Sequence, residues 1–283
     1  MAEILKGAPV AATITERLTT RADLLRLKGI TPCLAILRVG ERPDDLAYEH
    51  GAIMRCEKIG IRVESIVLDS ACTQQELMNA IMRVNADGTI HGCLMFRPLP
   101  KHLDEQDACE ALIPRKDVDC MTAASLRTVF TGRGLGFTPC TAQSVLELLD
   151  YYGIDPAGKH VAVIGRSLVI GKPVSMMLQT RNATVTMCHT KTIHLPEICR
   201  QADILVVAAG KAGIVDRSFT NPDQIVIDVG INTTSDGGIC GDVCFEDVEP
   251  FVRGISPVPS GVGSVTTAVL AKHVIEAAER MLR

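Results

Sequence analysis

Residues 161–173 read VAVIGRSLVIGKP, an apolar strand, a glycine turn and the start of a helix. Gly165 in such a turn lets the backbone approach a phosphate closely. The helix amino end at Gly171 offers unpaired N–H groups and the positive pole of the helix dipole to negative charge. This is the chemistry of a dinucleotide site, although the spacing departs from the G-x-G-x-x-G fingerprint, and a plain strand–helix turn that needs glycine is the alternative. A site for NAD usually offers an acidic residue at the end of the next strand to hold the ribose 2′-hydroxyl. Here that strand ends Cys188-His189-Thr190-Lys191, without a carboxylate, and Arg166 and Ser167 stand in the turn itself. A guanidinium beside hydroxyl donors suits a 2′-phosphate, so NADP is expected over NAD, with dual use left open. Arg166 as a merely solvated loop residue is the alternative.

Four other places attract notice. Tyr48 supplies a flat apolar ring with a polar tip, in a binding site or at a core edge. Asp119 follows Asp117 in a segment after a proline, where loop capping is the commoner use of a carboxylate. The GVG at 261–263 permits close backbone approach, as any tight loop would. RPLP, residues 97–100, ends a buried apolar strand with two prolines that cannot continue a ladder. The chain must turn away there, at the end of the strand where ligands of open α/β sheets gather.

The elements that position these residues alternate strand and helix along the whole chain, which argues for an α/β fold with parallel sheets covered by helices. A first helix is expected from Pro9 to Gly29, then the buried strand CLAILRVG, a helix over 44–58 closed by Gly60, and the strand IRVESIVL. Thr73 and Glu76 form a capping box at the next helix, followed by the strand HGCLMF. After a Gly- and Pro-rich passage at 131–140, a second series runs KHVAVIG, IGKPVSMMLQTR, ATVTMCH, ADILVVAAG and QIVIDVG. The last stretch, TTAVLAKHVIEAAERMLR, is an amphipathic terminal helix. With 283 residues, two domains are expected.

The totals exclude several partners. A formal charge of −4 gives no basic surface for nucleic acid or membranes, and 3% aromatic residues without Trp offer few stacking platforms. No apolar run reaches the ~20 residues of a membrane span, and the amino-terminal stretch does not read as a signal peptide. Eleven scattered cysteines point to reduced, core-packed thiols in a cytoplasmic protein. The closest pair, Cys240 and Cys244, lacks ligand company, so no metal is expected.

Taken together, RPLP, KDVDC, FTPCT, GRSLVIGKP, ATVTMCHTKT, DVGIN and PVPSGVGSVTT resemble the bifunctional methylenetetrahydrofolate dehydrogenase/methenyltetrahydrofolate cyclohydrolase family, in family order and spacing from about residue 33 onward. The resemblance implies a folate domain of residues 1–138 plus 262–283, completed by the C-terminal helix. It also implies a Rossmann-type NADP-binding domain of residues 139–261, a cleft between the two, and a homodimer. Carried over by position, Gly165, Arg166, Ser167, Gly171, Thr190 and Ile231 would contact NADP. Tyr48 would stack on the folate, Asp119 would hold its pterin, and Phe96, Pro259, Gly261, Val262 and Gly263 would line the substrate side.

The sequence departs from the family where proton transfer occurs. The family helix reads Tyr-x-x-x-Lys-x-Lys, and the positions of the two lysines are Ala52 and Met54. The glutamine that partners the first lysine is Phe96, followed by Arg97. Asp45 replaces a serine, Ala142 and Ser144 replace Pro and Gly, and Ser260 replaces a glycine. On a helix, Tyr48 and Ala52 share a face, so the alanine is expected to point at the same cleft. Losing both partners of a polar pair together can be nearly neutral, whereas losing one costs about 1–3 kcal/mol. Arg55 cannot deprotonate, and His50 lies on the opposite helix face. Hydride transfer depends on positioning and cofactor. Hydrolysis of the methenyl cation needs acid–base help worth about 10²–10⁴-fold. The expectation is an NADP-dependent dehydrogenase with weak or absent cyclohydrolase activity. A fully bifunctional enzyme, a non-catalytic folate- or nucleotide-binding regulator, and a dehydrogenase for a related pterin carrier stay open.

Overall fold

A computed structural model describes residues 1–234 and 237–282. The chain opens with β1 (Glu3–Ile4), α1 (Gly7–Leu27), β2 (Cys33–Val39), α2 (Pro43–Ile59), β3 (Arg62–Leu68) and α3 (Gln74–Ala86). There follow β4 (Gly92–Met95), α4 (Glu105–Ala111), α5 (Ala123–Thr131) and α6 (Cys140–Tyr151). The second series is β5 (His160–Ile164), α7 (Gly171–Thr180), β6 (Thr184–Cys188), α8 (Leu195–Arg200), β7 (Ile204–Val207) and β8 (Ile225–Asp228). The chain closes with β9 (Asn232–Thr233), β10 (Ile239–Cys240), α9 (Phe245–Val248), β11 (Gly254–Ile255) and α10 (Gly263–Arg280). No described helix is long and apolar enough to cross a membrane.

Two compact units emerge. One holds residues 13–140 and 267–283, the other residues 1–12 and 141–266. The division expected from the sequence, 1–138 with 262–283 against 139–261, differs at the ends. The first twelve residues join the second series because β1 pairs in parallel with β11, with Glu3 N bonded to Arg253 O at 2.9 Å. Helix α1 also starts at Gly7, two residues before Pro9, where a Cβ would lie 2.0 Å from Gly261 O.

In the first unit the sheet order is β3-β2-β4, all parallel. Strands β2 and β4 are buried almost throughout, as their continuous apolar runs require, while the edge strand β3 is largely half-exposed. Leu77, Ala80, Ile81 and Val84 of α3 pack on Ala35, Leu37 and Cys93. The capping box at Thr73 and Glu76 forms as expected, and Gly60 ends α2 in the left-handed conformation. Lys116, buried, donates from Nζ to the carbonyls of Val84 (2.5 Å), Asn85 (3.1 Å) and Asp87 (2.6 Å). This satisfies the carbonyls at the end of α3, where a cation also suits the helix dipole.

The second unit carries a parallel sheet in the order β1-β11-β8-β7-β5-β6. Its core joins Ala162, Ile164, Leu205, Val207, Val226 and Ile255. All eleven cysteines are free, and nine are buried. The sheet order matters for function. From β5 the chain passes to β6 on one side and then crosses to β7 on the other, which opens a crevice between the carboxyl ends of β5 and β7.

Within the first unit the chain packs closely at Gly92, where a Cβ would lie 2.5 Å from Val118 Cγ1 and 3.2 Å from Val274 Cγ2. Gly92→Ala is expected to lower unfolding free energy by about 1–3 kcal/mol through overpacking, measured by urea denaturation with an unchanged slope.

Candidate functional site

At the carboxyl end of β5, Gly165 adopts φ +126° and donates its N–H to Cys188 O at 2.9 Å. A Cβ at Gly165 would lie 2.2 Å from Ala208 O, just past the end of β7. Glycine is therefore dictated twice, by the dihedral and by the neighbouring backbone. Gly171 opens α7, and a Cβ there would lie 2.2 Å from Gly165 O. The turn and the helix thus meet backbone to backbone. Ser167 organises the link, its Oγ accepting from Ile170 N (3.1 Å) and its carbonyl from Lys172 N (3.0 Å).

The pairing of Ile164 with Cys188 brings the residues after β6 to the same edge as Arg166 and Ser167. Thr190 lies exposed in a turn closed by Thr192 N to His189 O at 2.8 Å and His189 N to Thr192 Oγ1 at 2.9 Å. Arg166 and Ser167 are exposed, as is Lys191, a second cation at this rim. Lys191 was legible in the sequence as a base standing where an NAD site carries an acid. The group fits a phosphorylated dinucleotide: a cradle that a side chain would fill, the amino end of a ten-residue helix, and cations at its mouth.

A second cavity of about 230 Å³ in the same unit is lined by Ile231, Ile239, Pro259, Gly261 and Gly263 among others. Ile231 is 67% exposed, whereas Val262 is 2% exposed and serves the core beside the cavity. Ser260, where the resemblance implies glycine, holds φ +84°. Asp228 lies at the cavity wall, and burial pushes its carboxyl up to about 6 against three backbone N–H bonds, from Gly230, Asp242 and Val243. Asp242, which no motif in the sequence singled out, is fully buried nearby and accepts from Ala209 N and Gly210 N.

The first unit brings Tyr48 against Phe96, edge to face with ring centroids 6.0 Å apart. Phe96 is fixed by its N–H to Leu37 O at 3.0 Å, and the RPLP turn is tied to the start of α2 by Arg42 Nη1 to Pro98 O at 3.1 Å. Asp117, not Asp119, is the capping carboxylate of its loop. It is fully buried and accepts from Met121 N, Thr122 N and Thr122 Oγ1, each at 2.8 Å. Asp119 accepts from Cys140 N at 3.1 Å. Burial pushes its carboxyl above the usual range, opposed by the Cys140 hydrogen bonds and by the charge of Arg97, beside Phe96.

Ala52 departs from expectation. The buried stripe of α2 runs Asp45, Glu49, Ala52, Cys56, Ile59, and Ala52 has no exposed surface, while Tyr48 at the stripe's edge keeps part of its ring exposed. The methyl sits in packing, not on an open wall. Glu49 on the same stripe pairs with Arg38 Nε at 2.8 Å and accepts from Ser65 Oγ at 3.1 Å. Arg55 donates to Thr15 Oγ1 at 2.8 Å, and His50 is exposed. Wider depressions of about 500 and 480 Å³ flank β3 and α3, and neither is lined by Tyr48, Ala52 or Phe96.

The family model described as tetrahydrofolate dehydrogenase/cyclohydrolase, catalytic domain, matches residues 5–119, and that of its NAD(P)-binding domain matches residues 139–282. A bifunctional protein FolD from Clostridium botulinum is 49% identical over 280 residues, covering 99% of both chains. The crystal structure of the bifunctional enzyme FolD from Campylobacter jejuni is 37% identical with a TM-score of 0.96, covering 99% of this chain and 100% of that one. The N5,N10-methylenetetrahydrofolate dehydrogenase-cyclohydrolase of Trypanosoma brucei, complexed with NADP cofactor and inhibitor, is 34% identical with a TM-score of 0.93. It covers 100% of this chain and 99% of that one.

Ser260 carries a left-handed backbone without glycine's freedom. Ser260→Gly is expected to raise stability by about 0.5–1 kcal/mol, read as a higher midpoint in chemical denaturation.

Proposed function

This chain belongs to the tetrahydrofolate dehydrogenase/cyclohydrolase family, and from that premise we propose that it is an NADP-dependent 5,10-methylenetetrahydrofolate dehydrogenase with little or no cyclohydrolase activity. The observation that carries the dinucleotide half is the glycine cradle at the switch point, with Arg166 at its mouth. In this reading Gly165, Ser167 and Gly171 hold the diphosphate, and Arg166 with Thr190 takes the 2′-phosphate. Ile231 flanks the nicotinamide end, in the cavity it shares with Pro259, Gly261 and Gly263. Bound NADP supplies the hydride-accepting position.

Toward the folate, Tyr48 offers its ring, braced edge-on by Phe96, and Asp119 accepts hydrogen bonds from the pterin. Oxidation of the methylene carbon leaves a cation spread over two nitrogens, so the chain's work is to orient the donor and exclude water. No proton has to be moved by a side chain in that step. Hydrolysis of the methenyl product does require one, and α2 presents a buried methyl where the family carries an ammonium. Phe96 in place of its glutamine partner removes the other half of the pair. Arg55 is committed to Thr15 and stays charged. The names of relatives at 49% identity, which are bifunctional, favour a second reading in which hydrolysis survives by another route. Homodimerisation is part of the proposal, and β3, paired on one side by β2, is an edge available for it.

A coupled assay decides the chemistry. Methylenetetrahydrofolate with NADP is expected to give reduced nicotinamide, with methenyltetrahydrofolate accumulating and decaying at the buffer rate. Enzymatic hydrolysis well above that rate would favour the bifunctional reading. Arg166→Ala is expected to weaken NADP binding by about 10–100-fold while changing NAD binding little, as loss of a charge-assisted phosphate contact implies. Equal losses for both nucleotides in equilibrium titrations would show that Arg166 does not read the 2′-phosphate.

A further inference from the structure

The loop after β7 presents three successive backbone N–H groups, from Ala209, Gly210 and Lys211, converging on one point. Gly210 is left-handed at φ +66°, the backbone alternation that forms an anion-binding nest. That nest holds the carboxylate of Asp242. Oδ2 accepts from Ala209 N (2.7 Å) and Gly210 N (2.8 Å), and Oδ1 from Lys211 N (2.9 Å) and Asn232 Nδ2 (2.9 Å). Asp242 has no exposed surface, and its carboxylate fills the space where a side chain on Gly230 would stand, 2.2 Å from that Cβ. Asp242 N in turn donates to Asp228 Oδ1 at 3.1 Å.

The loop so fastened is one wall of the switch-point crevice. Ala208, one residue before it, donates its N–H to Ile164 O at 2.8 Å and lies against Gly165. Asn232, the fourth donor, follows Ile231 directly. One buried carboxylate therefore ties the β7 loop to the Ile231 segment, and Ala208 carries that loop against the β5 turn.

We propose that Asp242 is a positioning residue for dinucleotide binding. Its carboxylate stands in the nest as an internal anion and fixes the crevice wall without touching the cofactor. The three N–H groups are consumed, so the phosphates of a bound dinucleotide are directed to the 165–167 turn and the amino end of α7. This role rests on the NADP reading of the same edge.

The test compares wild type with D242N. An amide can accept at one end only, so part of the nest is released. Expected is a rise in the NADP dissociation constant of about tenfold or more. Turnover at saturating NADP should stay within about twofold, with faster hydrogen exchange at the amides of residues 209–211. A merely structural role would lower the folded fraction and leave the dissociation constant of that fraction unchanged. Unchanged affinity with freed amides overturns the proposal. If D242N does not fold, N232A decides. It keeps the carboxylate and its three backbone bonds, and should weaken NADP by about threefold, whereas unchanged affinity counts against the role. A wild-type protein that fails to bind NADP would overturn the cofactor reading itself, and the positioning role with it.

Discussion

The distance between the turn after β5 and the carbonyl of Ala208 governs the second unit. At 2.2 Å from a would-be Cβ, nothing larger than hydrogen fits on Gly165. The constraint follows from the parallel sheet itself. Neighbouring strands lie roughly 4.8 Å apart, and where the order reverses between β5 and β7 the two chains leave the sheet in opposite directions. The crevice left between them is narrow, lined by backbone, and closed on one side by the amino end of α7. Such a place receives phosphate because main-chain N–H groups and the helix dipole face it.

Holding this edge in shape takes buried charge. Asp228 and Asp242 sit below it, each saturated by backbone N–H donors. A buried carboxylate with unfilled lone pairs would be costly, and the raised value at Asp228 records part of that cost. Gly230 and Gly241 are required by the same pair, since side chains there would collide with Asp242 and Asp228 respectively. The glycine of DVGIN thus answers to a residue twelve positions later in the chain.

The first unit shows the opposite treatment of polarity. Ala52 and Phe96 stand where the resemblance implies a lysine and a glutamine. Ala52 belongs to the packed stripe of α2, and Phe96 stands perpendicular to the ring of Tyr48. The first unit keeps an aromatic pair, Tyr48 with Phe96, and a carboxylate at Asp119 that accepts from Cys140 N.

The alternation of the longer strands with their helices, both strand-end turns and the capping box at Thr73 were readable from the sequence, because each depends on local periodicity or on a residue type with one conformational use, whereas α4, α5, α6 and the two-residue strands β1 and β11 were not. The family resemblance also came from the linear order of motifs. Tertiary structure decided what depends on residues far apart in the chain. Asp117 rather than Asp119 caps its loop, because only the folded loop aims its oxygens at Thr122. Ala52 is sealed although it shares a helix face with Tyr48, since a helical stripe has edges that spacing alone does not locate. The first twelve residues join the distant β11, and Asp242 reaches a loop thirty-one residues earlier. Sequence determines which residues are able to turn, cap or pack, whereas three-dimensional proximity determines which of them share a hydrogen bond.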